Sequence, residues 1–133
     1  MSEFQYFCVN YLTMDKPTLV IGASTNPDRY SYMAIKLLLV NNYKVHAIGM
    51  REGMIQGIPI SRPFPEIQSI HTITLYLSKK NQPLYYDYIL SQTPKRVIFN
   101  PGSENEELEQ LLEQKGVEVL HACTLVMLKT EQF

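Results

Sequence analysis

The stretch Thr18-Leu-Val-Ile-Gly22-Ala-Ser24-Thr-Asn26-Pro27-Asp-Arg29-Tyr-Ser31 constrains this chain most, because an apolar, β-branched run breaks at a glycine into polar residues and then a helical pattern. A strand, a tight turn and a helix in that order aim main-chain N–H groups and the positive end of a helix at one point, which suits an anion such as phosphate. Gly22 supplies the turn. A G-x-G-x-x-G loop starting at Gly22 would need glycines where the chain has Ser24 and Pro27. That departure argues against the close approach of a dinucleotide pyrophosphate.

At 133 residues, 45% hydrophobic and 19% charged, the chain can build one core and not two. Its formal net charge of −1, with no basic run, gives no footprint for nucleic acid or an anionic membrane surface. No stretch approaches the roughly 18 continuous apolar residues that a membrane-spanning helix needs. Cys8 and Cys123 form neither a disulfide framework nor a metal-ligand cluster, and a reduced, cytoplasmic setting is expected. Residues 1–15 lack the basic start and apolar run of a signal peptide and are expected to be an extension preceding a single domain over 16–133.

Beyond Gly22, strand and helix signals alternate. Ser31 is the expected N-cap of a helix reaching about Asn41, with Met33, Ala34, Leu37 and Leu38 on its buried stripe. Lys44 to Ile48 reads as a second strand, and Gly49 to Ile60 as a loop with a short extended piece. Pro59, Pro63 and Pro65 keep the next stretch irregular. His71 to Leu77 reads as a third strand and Pro83 to Ser91 as a helix in which Tyr85, Tyr86 and Tyr88 divide between core and surface. Arg96 to Asn100 reads as a fourth strand, turned by Asn100-Pro101-Gly102 into a Ser103-x-x-Glu106 capping box and a helix that Gly116 ends. Val117 to Leu120 is the fifth strand, and a short helix follows Cys123.

Strands joined through helices imply a mainly parallel, doubly wound, five-stranded α/β sheet of Rossmann-like form with helices on both faces. Ligands in such sheets lie at the carboxyl ends of the strands. Gly22–Ser31, Gly49–Arg51, Ser78–Asn81, Asn100–Gly102 and His121–Cys123 occupy that edge. Glu104, Glu106 and Glu107 repel phosphate from the later loop, whereas Arg29, Asn26 and Ser31 favour it at the first. Arg51 stands where NAD-binding chains place the acid that holds a ribose diol, so a phosphorylated ribose, as in NADP or coenzyme A, fits better. His46 and His71 fall away from this edge. Asn100, Pro101, Gly102, His121 and Cys123 lie on it; for His121 and Cys123 a packed role and a ligand-facing role both remain open. No metal-ligand spacing is present.

From Lys16 to about Leu128 the chain resembles the small single-domain coenzyme A-binding proteins, which are similar to the coenzyme A-binding domain of the succinyl-CoA synthetase α subunit. The resemblance rests on Val20–Ser31, Gly57-Ile-Pro59, Phe99-Asn-Pro-Gly-Ser-Glu-Asn105 and Ala122-Cys-Thr-Leu-Val-Met127. It implies a Rossmann-like fold that holds the coenzyme A diphosphate on the first loop through Gly22, Ala23, Ser24, Asn26, Arg29 and Ser31, with Arg51 as an addition. It also implies no ligase activity, since the phosphohistidine domain and nucleotide-grasping subunit of that enzyme have no counterpart here. The expected function is non-catalytic binding of coenzyme A or an acyl-CoA. The alternatives are an NADP(H) domain and the coenzyme A-binding subunit of a larger acyl-CoA enzyme; a homo-oligomer is left open.

Overall fold

Side chains alternate faces along a strand, and in β1 (Met14–Ile21) that alternation sends Leu19 and Ile21 into one core and Val20 into another. The computed structural model describes residues 14–62 and 64–133. The expected extension therefore lies outside the described residues, Cys8 with it, except that Met14 and Asp15 already belong to β1. Pro63 is likewise outside them.

The elements that follow are α1 (Tyr30–Val40), β2 (Tyr43–Ile48), β3 (Gly53–Ile55), β4 (Ile58–Ser61), β5 (Thr72–Leu75), α2 (Tyr86–Ser91), β6 (Arg96–Phe99), α3 (Glu106–Gln114), β7 (Glu118–His121) and α4 (Thr124–Lys129). They build one sheet in the order β3-β4-β2-β1-β5-β6-β7, parallel throughout except for the antiparallel β3–β4 pair. Ile35 and Leu38 of α1 and Leu128 of α4 pack with Val20, Val45, Ala47 and Ile98 on one face. On the other, Ile89 of α2 and Leu108 and Leu112 of α3 pack with Leu19, Ile21, Ile73, Val97 and Phe99. Each such fully buried aliphatic side chain contributes about 1.5–3 kcal/mol. The doubly wound, mainly parallel sheet with helices on both faces is as expected.

Seven strands replace the expected five. The two extra are the hairpin β3–β4, whose two-residue turn sets Gln56 at φ 51° and Gly57 at φ 85°, both left-handed as a type I′ turn demands. Pro59 sits inside β4, opposite Met54. Other local expectations shift by one or two residues. In α1 the buried face is Ser31, Ala34, Ile35 and Leu38, while Met33 is exposed. The N-cap of α3 is Asn105, whose side chain accepts from the Leu108 N–H, and not Ser103, whose hydroxyl donates back to the Asn100 carbonyl at 2.7 Å. At the amino end of the sheet the buried Arg96 donates through Nε to Thr72 Oγ1 at 2.7 Å and stacks over the Phe133 ring; burial holds its pKa below the usual range.

The chain leaves β1 toward β2 and β4 on one side, then crosses to β5 on the other. The carboxyl ends of β1 and β5 therefore flank the point where winding reverses, and that is where such sheets open a crevice. Asn100 closes the sheet just beyond it: Nδ2 donates to Thr74 Oγ1 and the Leu75 carbonyl at 2.6 and 2.8 Å, and Oδ1 accepts from the Thr124 N–H at 2.9 Å. Removing this carboxamide strands buried polar groups on β5 and at the start of α4. Asn100→Ala is expected to destabilise the fold by about 2–4 kcal/mol, read from the urea denaturation midpoint.

Candidate ligand cleft

The first loop is pressed into shape by backbone contacts. Gly22, at φ 98°, and Ala23 both donate their N–H to the Ile48 carbonyl at 2.9 Å, and the Tyr76 N–H reaches the Ile21 carbonyl at 2.9 Å. A Cβ added to Gly22 would stand 2.9 Å from the Tyr76 carbonyl carbon and oxygen; one on Gly49 would stand 2.4 Å from the Ala23 carbonyl oxygen. Only glycine fits at either place. Gly22 and Ala23 thus set the path of the loop with N–H groups that already have a partner.

The turn that follows satisfies itself. Ser24 Oγ accepts from the Asn26 N–H at 3.1 Å, Asn26 Oδ1 from the Asp28 N–H at 2.9 Å, and the Asn26 carbonyl from the Arg29 N–H at 3.0 Å. Helix α1 then begins without a side-chain cap: its N-cap is Arg29, and Ser31, the expected cap, lies inside the first turn. Among the described residues the N–H groups of Tyr30, Ser31 and Tyr32 have no partner. A helix end left open in this way is a set of donors at the positive pole of a dipole.

Tyr30 and Ser31 line a cleft of about 940 Å³. Its walls come from the loop after β1 (Gly22 to Ser31, without Pro27), from Met50 and Arg51 after β2, from Tyr76, Leu77, Ser78 and Asn81 after β5, and from Pro101, Gly102 and Ser103 after β6. Four of the five expected edge segments are brought together here. The sequence-predicted Gly22, Ala23, Ser24, Asn26, Arg29, Ser31, Arg51, Pro101 and Gly102 all line it. Asn100 does not; it is the buried clip described above. Nor does His121, whose Nε2 pairs with Glu109 Oε1 at 2.8 Å and whose ring stacks on Phe99, nor Cys123, the N-cap of α4. Charge on the lining is two arginines, Arg29 and Arg51, against one carboxylate, Asp28. A diphosphate fits this donor set.

Two features were hidden in the sequence. One is a buried carboxamide clip: Gln82 Nε2 donates to the Leu77 and Ser103 carbonyls at 2.9 and 2.7 Å while its Oε1 accepts from Asn105 Nδ2 at 2.8 Å, which locks the β5 and β6 walls together. The other is Tyr76. Its ring helps to line the cleft, yet its hydroxyl is buried beside the Thr74–Thr124 hydroxyl pair with no hydrogen-bond partner among the described residues. Burial pushes its pKa up to about 12.

An unpaired buried hydroxyl is a cost that phenylalanine removes, so Tyr76→Phe is expected to stabilise the fold at pH 7 by about 1 kcal/mol. In the wild type the raised pKa means that little is lost below about pH 9, where the unfolded phenol begins to ionise. Stability then falls as pH rises toward 12, by about 1 kcal/mol at pH 11 from this group. Urea melts of both proteins between pH 7 and pH 11 check this: the wild type must lose more than the variant above pH 10.

Comparison with known proteins gives the family and relatives of the same fold. Residues 16–129 match the family described as the CoA binding domain. No curated protein matches the chain. A crystal structure of an uncharacterized protein is 44% identical, superposes with a TM-score of 0.87, and is matched over 89% of this chain and 98% of its own. The cell-free ID.343 structure from Thermus thermophilus is 19% identical with a TM-score of 0.77, over 89% of this chain and 90% of that one. Acetyl-coenzyme A synthetase 1 of Ca. Korarchaeum cryptofilum, solved with phosphate and ADP, shares the fold at 17% identity and a TM-score of 0.64, over 79% of this chain and 25% of the synthetase. With the match spanning nearly all of its described residues, the chain belongs to the CoA-binding domain family.

Proposed function

We propose that the cleft holds coenzyme A or an acyl-CoA, with the diphosphate on the loop from Ser24 to Ser31, and that the chain binds this ligand without transforming it. The carrying observation is the uncapped start of α1. Tyr30 and Ser31, whose N–H groups are free, and Arg29 line a cleft at the switch point of a chain whose family is the CoA binding domain. Charge-assisted hydrogen bonds to a phosphate suit such donors. Arg51, which lines the same cleft after β2, would read a third phosphate, the one that coenzyme A carries on its ribose. A binding role without chemistry is supported by where the reactive side chains sit: His121 is held by Glu109, and Cys123 is outside the walls.

A ligand that binds only the folded state stabilises it by about 2.7 kcal/mol at a hundredfold excess over its dissociation constant, which for a domain of this size raises the melting temperature on the order of 10 °C. Coenzyme A is expected to give such a shift, and NAD⁺ at equal concentration far less. A larger shift with NAD⁺ or NADP⁺ reverses the assignment.

The two arginines separate by what they read. Arg29→Ala is expected to weaken coenzyme A and 3′-dephospho-coenzyme A alike, by about 1.5–3 kcal/mol, because both carry the diphosphate. Arg51→Ala is expected to weaken coenzyme A selectively and so shrink the preference between the two. Titration calorimetry with both ligands on both variants measures each loss; an equal loss in Arg51→Ala removes that residue from the ribose phosphate.

A further inference from the structure

We infer that Tyr30 and Met50 cover the purine base of the ligand, so that the cleft grips the nucleotide end of coenzyme A by apolar contact as well as by charge. This rests on the coenzyme A reading above. Tyr30 is 68% exposed and Met50 71%, and of the large apolar side chains left exposed among the described residues these two line the cleft. Apolar side chains scattered singly over a surface need no explanation. Two of them in one concave site, beside Arg29 and Arg51, are apolar surface that a bound ligand can take out of water.

Their places in the chain say which part of the ligand does so. Tyr30 stands between Arg29 and Ser31, on the segment that would hold the diphosphate, and Met50 directly precedes Arg51, which would read the ribose phosphate. The ribose of coenzyme A bears the diphosphate at C5′, the single phosphate at C3′ and the adenine at C1′. Holding both phosphates therefore brings the base to the segments that carry Tyr30 and Met50, while the pantetheine arm leaves from the far end of the diphosphate.

Neither segment is free to drift. A Cβ on Gly49 would stand 2.4 Å from the Ala23 carbonyl oxygen and one on Gly53 2.6 Å from Thr25 Cγ2, so the stretch carrying Met50 is pressed against the first loop at both ends. Tyr30 opens α1, whose first turn is anchored by Ser31, only 3% exposed. A base stacks on an aromatic ring through its π-face, and a thioether is polarizable and fits itself to a flat ring.

The test is titration calorimetry of coenzyme A with the wild type, Tyr30→Phe, Tyr30→Ala and Met50→Ala, joined to an intermolecular NOE measurement on the wild-type complex. Tyr30→Ala is expected to weaken binding about tenfold and Met50→Ala about threefold, whereas Tyr30→Phe, which keeps the ring, costs less than about twofold. The adenine H2 and H8 protons are expected to show NOEs to the methionine methyl signal that Met50→Ala removes. A wild type that binds coenzyme A while Tyr30→Ala loses less than about twofold, or whose Met50 methyl meets the pantetheine methyl protons in place of the base, overturns the inference alone. The NOE is read on the wild type, so it decides even where a variant fails to fold. A wild type that does not bind coenzyme A overturns the coenzyme A reading together with the inference.

Discussion

One oxygen atom organises this site. The Ile48 carbonyl accepts from both Gly22 and Ala23, so the end of β2 draws the first loop across the top of the sheet while the Tyr76 backbone supports it from the other side. The loop is then so close to its neighbours that Gly22 and Gly49 have no room for a side chain, and Gly53 faces Thr25 Cγ2 at 2.6 Å from where its own Cβ would lie. The path of the next residues follows. Ser24 and Asn26 close the turn internally, and α1 starts with its donors unclaimed, which no N-cap side chain could allow.

The two walls of the cleft are built on different physics. The β1 side relies on steric exclusion at glycines. The β6 side relies on buried carboxamides, Asn100, Gln82 and Asn105, whose donors and acceptors are all matched by main-chain or side-chain partners. Such networks are rigid when complete and costly when broken. Tyr76 sits between the walls and departs from that economy of pairing, with a buried hydroxyl beside the Thr74 and Thr124 hydroxyls that completes no hydrogen bond among the described residues.

Much of this was legible in the residues. The β-branched run into Gly22, the glycine after α3 and the turn Asn100-Pro-Gly102 each have a local physical cause, and each lies where the pattern puts it. What escaped was decided by tertiary contacts. Gln56-Gly57 makes the hairpin turn, but glutamine lacks the short side chain that lets asparagine or aspartate advertise a left-handed residue. Ser103 and Asn105 are both good caps by type, and the choice between them fell to the Asn100 carbonyl, which captures the serine hydroxyl. Ser31 reads as a cap for the same reason of type, yet the helix starts one residue earlier and Ser31 falls, buried, within its first turn. His121 and Cys123 are on the expected edge by number, and Glu109 and the start of α4 account for them.

The hairpin also settles how the sheet ends. Among the described residues its two outer strands are β3, three residues long, and β7, four residues long with Glu118 and His121 exposed at its ends. An open strand edge is a template on which another chain can polymerise when it is long, flat and apolar. These edges are short, and β7 carries charge, so strand-to-strand growth into fibres finds little purchase.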